Sequence, residues 1–324
     1  MAELSMVQAL NAALRHCLRE DERALVFGED VGRLGGVFRV TDGLQSEFGE
    51  RRVFDTPLAE SGIVGIAVGL AMAGWRPVPE IQFDGFSFPA LDQVLTNLAK
   101  YRGRSRGAYH MPVTLRLPAF GGIGGPEHHS ESPETLYAHT AGLKVVAPSG
   151  PQDAFNLLVQ AIRDPDPVIF LEPKSRYWAR EEVSLEPDGA DAGRARVVRP
   201  GEHATLVSWG AMTQRCREAA AAAEEDGVSL EVLDLRWLKP LDEETLVASV
   251  RRTGRAVVVH EAPLTGGLGA EVSARLMERA FGALRAPVLR VTGWDVPYPA
   301  AAAEQEYLPS VDRILLAVQR ALDH

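Results

Sequence analysis

Cysteine is nearly absent: Cys17 and Cys216 are the two in 324 residues, far apart and in no CxxC pair. That excludes a disulfide framework and a thiolate zinc site, and it fits a reducing cytoplasm. Basic charge is also short, 34 Lys and Arg against 44 Asp and Glu, for a formal net charge of −10. An acidic chain of this kind argues against nucleic acid as the main partner. Long apolar runs are missing. The most apolar window, Gly62 to Gly74, falls short of the about 20 residues that a bilayer span needs, and Met1 to Met6 lacks a basic, apolar, small-residue succession. The expectation is a cytoplasmic protein with no membrane segment and no targeting signal. What remains, 46% hydrophobic and 24% charged residues, is a globular composition, with length for roughly two domains.

Apolar residues Val7, Leu10, Leu14, Cys17 and Leu18 recur at helical spacing behind Ser5, a residue suited to N-capping. Ala24 to Phe27 then reads as a buried strand. Strand-like runs follow at Val78 to Phe83, Val113 to Leu117, Leu143 to Val146 and Val168 to Leu171. Helical patterns alternate with them at Ile63 to Met72, Leu91 to Tyr101 and Gln152 to Ile162. Such alternation predicts an α/β fold, an open and mainly parallel sheet with helices on both faces. Between Glu182 and His203 the apolar signal drops while Pro187, Gly189, Asp191, Gly193, Pro200 and Gly201 accumulate, which marks a linker. A second alternation then runs from Thr205 to the closing helix Val311 to Leu322. The boundaries are a first domain over 1–185, a linker over 186–202 and a second open α/β domain over 203–324.

Several segments carry chemistry beside a plainer alternative. In Asp55-Thr56-Pro57-Leu58-Ala59-Glu60-Ser61-Gly62 a strand end runs into a helix with Ser61 as its N-cap, and ligands of open parallel sheets sit at such ends. The plainer alternative is an acid complementing a helix dipole. Gly62, Gly65 and Gly69 share one helical face, at a cost of roughly 0.8–1 kcal/mol each against alanine; they suit a subunit interface or tight packing within the chain. Gln82 offers a donor and an acceptor and Phe86 a flat apolar face, or both are loop filling. The loop Gly121-Gly122-Ile123-Gly124-Gly125-Pro126-Glu127-His128-His129-Ser130 is conformationally costly and persists where backbone shape or mobility is useful. It has neither the Walker nor the GxGxxG pattern, nor HExxH. Adjacent loop histidines are expected to point apart, one of them serving as acid, base or donor, or both being solvated. Tyr101 to Arg106 is a basic turn, read as solvated charge at a helix end. Asp164-Pro165-Asp166-Pro167 offers oxygen ligands to a cation or simple turn chemistry.

Taken together, Gly28-Glu29-Asp30-Val31, Asp55 to Glu60, Glu80-Ile81-Gln82-Phe83, Asp92-Gln93, Ala99-Lys100-Tyr101-Arg102, His128 to Glu134, Gly142 to Val146, Pro167 to Pro173 and Val291 to Pro299 resemble one family. It is the β subunit of the thiamine-diphosphate-dependent 2-oxoacid dehydrogenases, the decarboxylating component of the pyruvate and branched-chain complexes. The resemblance implies a pyrimidine-binding domain followed by a transketolase-type C-terminal domain. It implies Glu60 at the cofactor's pyrimidine ring nitrogen, where a carboxyl exchanges a proton that an amide does not. It places Leu58, Gln82 and Phe86 around the aminopyrimidine and Glu29 as a second acid nearby. His129 would face the thiazolium and assist acyl transfer to a lipoyl arm, and Asp164 falls in a segment that holds structural potassium.

Family members hold Mg²⁺ and diphosphate with a Gly-Asp-Gly stretch and a later asparagine. This chain has no Gly-Asp-Gly, and its asparagines are Asn11, Asn97 and Asn156. The resemblance therefore implies that an α subunit holds Mg²⁺ in an α2β2 heterotetramer, which serves a lipoyl-bearing acyltransferase core. The substrate is a 2-oxoacid. Ser130-Glu131-Ser132-Pro133-Glu134 looks more like the branched-chain branch, and Phe86 with His110-Met111-Pro112 also suits pyruvate enzymes. A non-catalytic scaffold or a split transketolase stands as the alternative, the first opposed by the presence of Glu60 and His129.

Overall fold

In the computed structural model, which describes residues 1–189 and 193–324, helix α1 (Met6–Glu20) follows strand β1 (Ala2–Ser5). Ser5 caps it as expected, its hydroxyl accepting from Gln8 N while Gln8 Oε1 accepts from Ser5 N. This reciprocal pair satisfies two otherwise orphaned donors. The apolar spacing buries Val7, Leu10, Leu14, Cys17 and Leu18 on one face.

The chain forms two compact units, one of Met1–Ala119 with Leu136–Ala192 and one of Phe120–Thr135 with Gly193–His324. In the first, β2 (Ala24–Gly28), α2 (Leu44–Phe48), β3 (Val53–Asp55), α3 (Glu60–Met72), β4 (Arg76–Glu80), α4 (Tyr101–Arg104) and β5 (Thr114–Ala119) come before the chain crosses. After α5 (Glu134–His139) follow β6 (Lys144–Val146), α6 (Pro151–Arg163), β7 (Val168–Pro173) and β8 (Arg180–Val183). The strands of this unit run in the order β6-β7-β5-β4-β2-β3, with every pairing parallel. β1 and β8 form a separate antiparallel pair. Gly28 sits opposite both Asp55 and Glu80, so β2, β3 and β4 end level and release their loops at one edge. That is where an open parallel sheet binds ligands.

The second unit contains β9 (Arg196–Arg199), β10 (Ala204–Ser208), α7 (Met212–Glu225), β11 (Leu230–Asp234), β12 (Trp237–Lys239), α8 (Glu243–Thr253), β13 (Ala256–Pro263), α9 (Leu268–Ala280), β14 (Leu289–Gly293), α10 (Glu304–Tyr307) and α11 (Val311–Leu322). One sheet runs β14-β13-β10-β11-β9, parallel except for β9 against β11. Val257, Val258 and Val259 are all fully buried, as a strand covered on both faces requires.

Two expectations about helices are corrected, and two observations bear on the segments between the domains. Helix α3 starts at Glu60 with Ala59 as its N-cap and no side-chain cap bond, so Ser61 lies inside the helix and Glu60 in its first turn. The helical pattern Leu91 to Tyr101 is interrupted by a wider turn over Gln93–Leu98, where Ala99 N donates to Val94 O across five residues. The linker contains β9, a short edge strand whose arginines keep its hydropathy low, while Ala190, Asp191 and Ala192 lie outside the described residues. Finally, residues 120–135, read from sequence as part of the first domain, group with the second unit.

Candidate functional site

Three loops leaving β2, β3 and β4 bring Glu29, Glu60 and Gln82 into one neighbourhood. The chain turns sharply after Gly28, where a Cβ would lie 2.5 Å from Glu80 O, so the β2 and β4 backbones touch and glycine is required. Asp30 then adopts φ 58°, a left-handed conformation that Asp tolerates better than most residues. Gln82 Nε2 donates to Asp30 Oδ2 at 2.8 Å and to Glu29 O at 3.3 Å, which pins this turn. Glu29 is 8% exposed and its Oε1 has no hydrogen-bond partner. Burial lifts its carboxyl above the ordinary range, and the charges of Glu60 and Asp30 add to the lift. Thr56 Oγ1 is likewise buried without a partner. Two orphaned polar atoms beside a half-buried Glu60 form a cradle short of ligand atoms.

Of the two apolar residues expected beside the pyrimidine, Leu58 is 80% exposed and Phe86 is partly buried. Phe86 sits on a tight turn, Asp84–Ser87, edge-on to Phe83 at 6.1 Å between centroids. Asp84 anchors that turn through a fully buried ion pair with Lys174, 2.6 Å long. On β5, beside β4, the fully buried Arg116 bonds Glu80 at 2.6 Å and Glu172 at 2.7 and 3.0 Å. Tyr177 Oη donates to Glu172 as well, at 2.7 Å.

Asp164 stands at the other edge of the sheet, ahead of β7. Both its oxygens accept from Lys144 Nζ, at 2.8 and 2.7 Å. Asp164 also closes the turn by accepting from Asp166 N at 2.9 Å. Asp166 pairs with Lys144 and Arg102, so the basic turn is partly neutralised rather than wholly solvated. Among the described residues no group of three or more His, Cys, Asp or Glu is arranged to hold a metal ion.

His129 belongs to the second unit. It ends a tight turn, Glu127–His129, and its Nδ1 lies 3.0 Å from His128 O. The rings of His128 and His129 do not point apart: their centroids are 4.3 Å from each other at 58°, because the turn folds successive side chains toward one side. Sequence reasoning missed Glu134, fully buried in the same segment, whose carboxyl burial pushes up to about 8. Its place inside the block His128 to Glu134 was the available signal.

Residues 2–178 match the transketolase pyrimidine-binding domain and residues 193–314 the transketolase C-terminal domain. The chain is 56% identical over 320 residues to the 3-methyl-2-oxobutanoate dehydrogenase subunit beta of Mycobacterium tuberculosis, covering 98% of this chain and 92% of that one. It is 55% identical to the pyruvate dehydrogenase E1 component subunit beta of Leifsonia xyli subsp. xyli, covering 98% and 95%. The chain belongs to the 2-oxoacid dehydrogenase β-subunit family. Among solved structures, this β subunit is similar to a split-gene transketolase described as an inactive β4 tetramer, with a TM-score of 0.82 at 25% identity and coverage of 99% and 98%. The family uses thiamine diphosphate, and the β subunit's own residues fit the pyrimidine end of that cofactor. Glu29 Oε1 and Thr56 Oγ1 await polar partners, and Leu58 offers an uncovered apolar side chain.

Proposed function

We propose that this chain supplies the pyrimidine half of a thiamine-diphosphate site completed by an α subunit in an α2β2 heterotetramer. The observation that carries this is the convergence of Glu60, the buried and partnerless Glu29 carboxyl and the Gln82–Asp30 bond on one sheet edge. Bound there, thiamine diphosphate supplies the electron sink that decarboxylation of a 2-oxoacid needs. Glu60 holds and exchanges a proton at the pyrimidine ring nitrogen. Glu29, its carboxyl raised by burial and by the charge of Glu60, takes up a proton more readily than a free carboxyl at the same edge. Gln82 fixes the turn, while Phe86 and Leu58 exclude water from the ring. His129 acts as a proton donor in transfer of the acyl group to a lipoyl arm.

Diphosphate and Mg²⁺ fall to the α subunit, since Mg²⁺ takes hard oxygen ligands and the chain has no Gly-Asp-Gly. The surface offered to that partner includes Gly62, Ile66 and Gly69 of α3, all exposed, Ile66 by 50%. A Cβ at Gly69 would meet nothing within 4 Å, whereas one at Gly65 would lie 3.8 Å from Gln93 Oε1. The glycine face is therefore only partly used within the chain. The acidic surface docks the lipoyl-bearing acyltransferase, and the two buried free thiols suit the cytoplasm. Branched-chain 2-oxoacids are the favoured substrate, on the block Ser130 to Glu134; pyruvate is the second reading, favoured by relatives of nearly equal identity.

Calorimetry tests the shared site. Thiamine diphosphate with Mg²⁺ is expected to bind tightly only when the chain is mixed with its α partner; tight binding by the chain alone overturns the proposal. Turnover of the assembled enzyme then ranks the substrates. One methylene is worth about 1–3 kcal/mol in an apolar pocket, and a higher kcat/KM for pyruvate than for 3-methyl-2-oxobutanoate overturns the branched-chain reading.

A further inference from the structure

Three of the four glycines ahead of His128 are explained by what their backbone touches inside the second unit. Gly121 N donates to Glu261 Oε2 at 2.9 Å. Gly122 N donates to Glu304 Oε1 at 3.1 Å and to Tyr298 Oη at 3.2 Å. Gly124 N reaches both Glu304 oxygens at 3.1 Å, and Tyr298 Oη itself donates to Glu304 Oε1 at 2.8 Å. Successive N–H groups thus converge on carboxylates as they do around a bound anion, except that the anion is a side chain of the same chain.

Glycine is needed at these three points on two grounds. A Cβ at Gly121 would fall 1.9 Å from Tyr298 Oη. Gly122 and Gly124 adopt φ +87° and +68°, values that other residues rarely take. Glu261 and Glu304 are both 4% exposed. Charge-assisted bonds at such burial are about twice as strong as neutral ones, so the loop is held in shape rather than left mobile. From Gly124 only Gly125 and Pro126 intervene before the turn Glu127–His129.

We infer that Glu304, assisted by Tyr298 and Glu261, is a positioning latch that fixes the Gly121–Gly125 loop and with it the place from which His129 is presented. The catalytic consequence rests on the reading of His129 given above; the latch itself does not. Glu304 touches no substrate atom and acts through the loop. The block Val291 to Pro299, for which the cofactor site has no use, acquires a role through Tyr298.

Hydrogen–deuterium exchange by mass spectrometry, on the full chain and on the complex with its α partner, reads the latch directly. For Glu304→Gln, exchange in the peptide covering residues 121–125 is expected to rise at least about tenfold, as for loss of buried charge-assisted bonds. Exchange of β10 and β13 should stay unchanged. In the complex, lipoyl acylation is expected to fall at least about tenfold further than decarboxylation with an artificial electron acceptor, with partial recovery in Glu304→Asp. Tyr298→Phe keeps the ring and removes the hydroxyl, so it gives the same local result in smaller measure and serves if Glu304→Gln does not assemble. Unchanged exchange at 121–125 in both variants overturns the latch. Faster exchange with undiminished acylation retains the latch and overturns the role of His129 instead.

Discussion

Replacing Arg116 by methionine removes the cation that Glu80, at the end of β4, and Glu172 share in a buried cluster. Arg116 is 0% exposed and its side chain makes three bonds to Glu80 and Glu172, which are 4% and 0% exposed. Methionine fills much of the volume, so the loss is chiefly electrostatic: two carboxyls stay buried with no counter-charge. Breaking a buried ion pair by removing one partner costs about 3–5 kcal/mol. At about 2–4 °C per kcal/mol for a unit of 150–250 residues, that is a fall of roughly 6–20 °C in Tm. Calorimetric melting of the assembled complex and of the chain alone measures it.

The sign of the pH effect follows from the same cluster. Burial already lifts Glu80 above the ordinary carboxyl range, with Arg116 pulling the other way. Without Arg116, Glu80 binds a proton more readily in the folded than in the unfolded chain, so the variant's stability falls as pH rises through its folded value. The deficit against wild type is therefore largest near pH 7 and shrinks toward pH 5. Combining Arg116→Met with Glu80→Leu, Glu172→Met and Tyr177→Phe, which removes every orphaned partner, is expected to restore most of the lost stability. A single variant melting within about 2 °C of wild type, or a deficit independent of pH, refutes the reasoning.

Glu60→Gln is expected to fold and assemble while lowering decarboxylation by roughly 10²–10⁴, the range for a positioned acid–base group. Wild-type hydrogen–deuterium exchange at the reactive thiazolium carbon of the bound cofactor counts against that role. His129→Ala is expected to slow acyl transfer to a lipoyl domain more than decarboxylation with an artificial acceptor; equal losses in both assays place His129 earlier in the reaction or make it purely structural.

Elements with a two-sided core were legible from the residues alone. Val257 to Val259 reads as a covered strand because every side chain there is apolar, and Val311–Leu322 reads as a helix because its apolar face repeats at helical spacing. β9 was not legible, being four residues long with charged members and held by pairing to its neighbour rather than by its own pattern. The turn at Gln93–Leu98 shows the limit from the other side. Apolar periodicity predicts that the segment is helical but does not resolve whether each N–H reaches four or five residues back, which depends on what packs against it.

The site divides along the same line. Glu60 and Gln82 stand at strand ends that a periodicity reading locates, so their place at the ligand edge was open to sequence argument. What activates them is non-local. Gln82 takes its partner Asp30 from 52 residues away, and Gly121 and Gly122 take theirs, Glu261 and Glu304, from 140 and 182 residues away. A glycine-rich loop advertises an unusual backbone, and sequence alone left open whether shape or mobility was wanted. The acceptors decide for shape, because buried carboxylates bound by several N–H groups forfeit those bonds if the loop opens. Mutating an acceptor therefore tests the loop's function more cleanly than mutating a glycine, whose replacement would also strain the backbone or strike Tyr298.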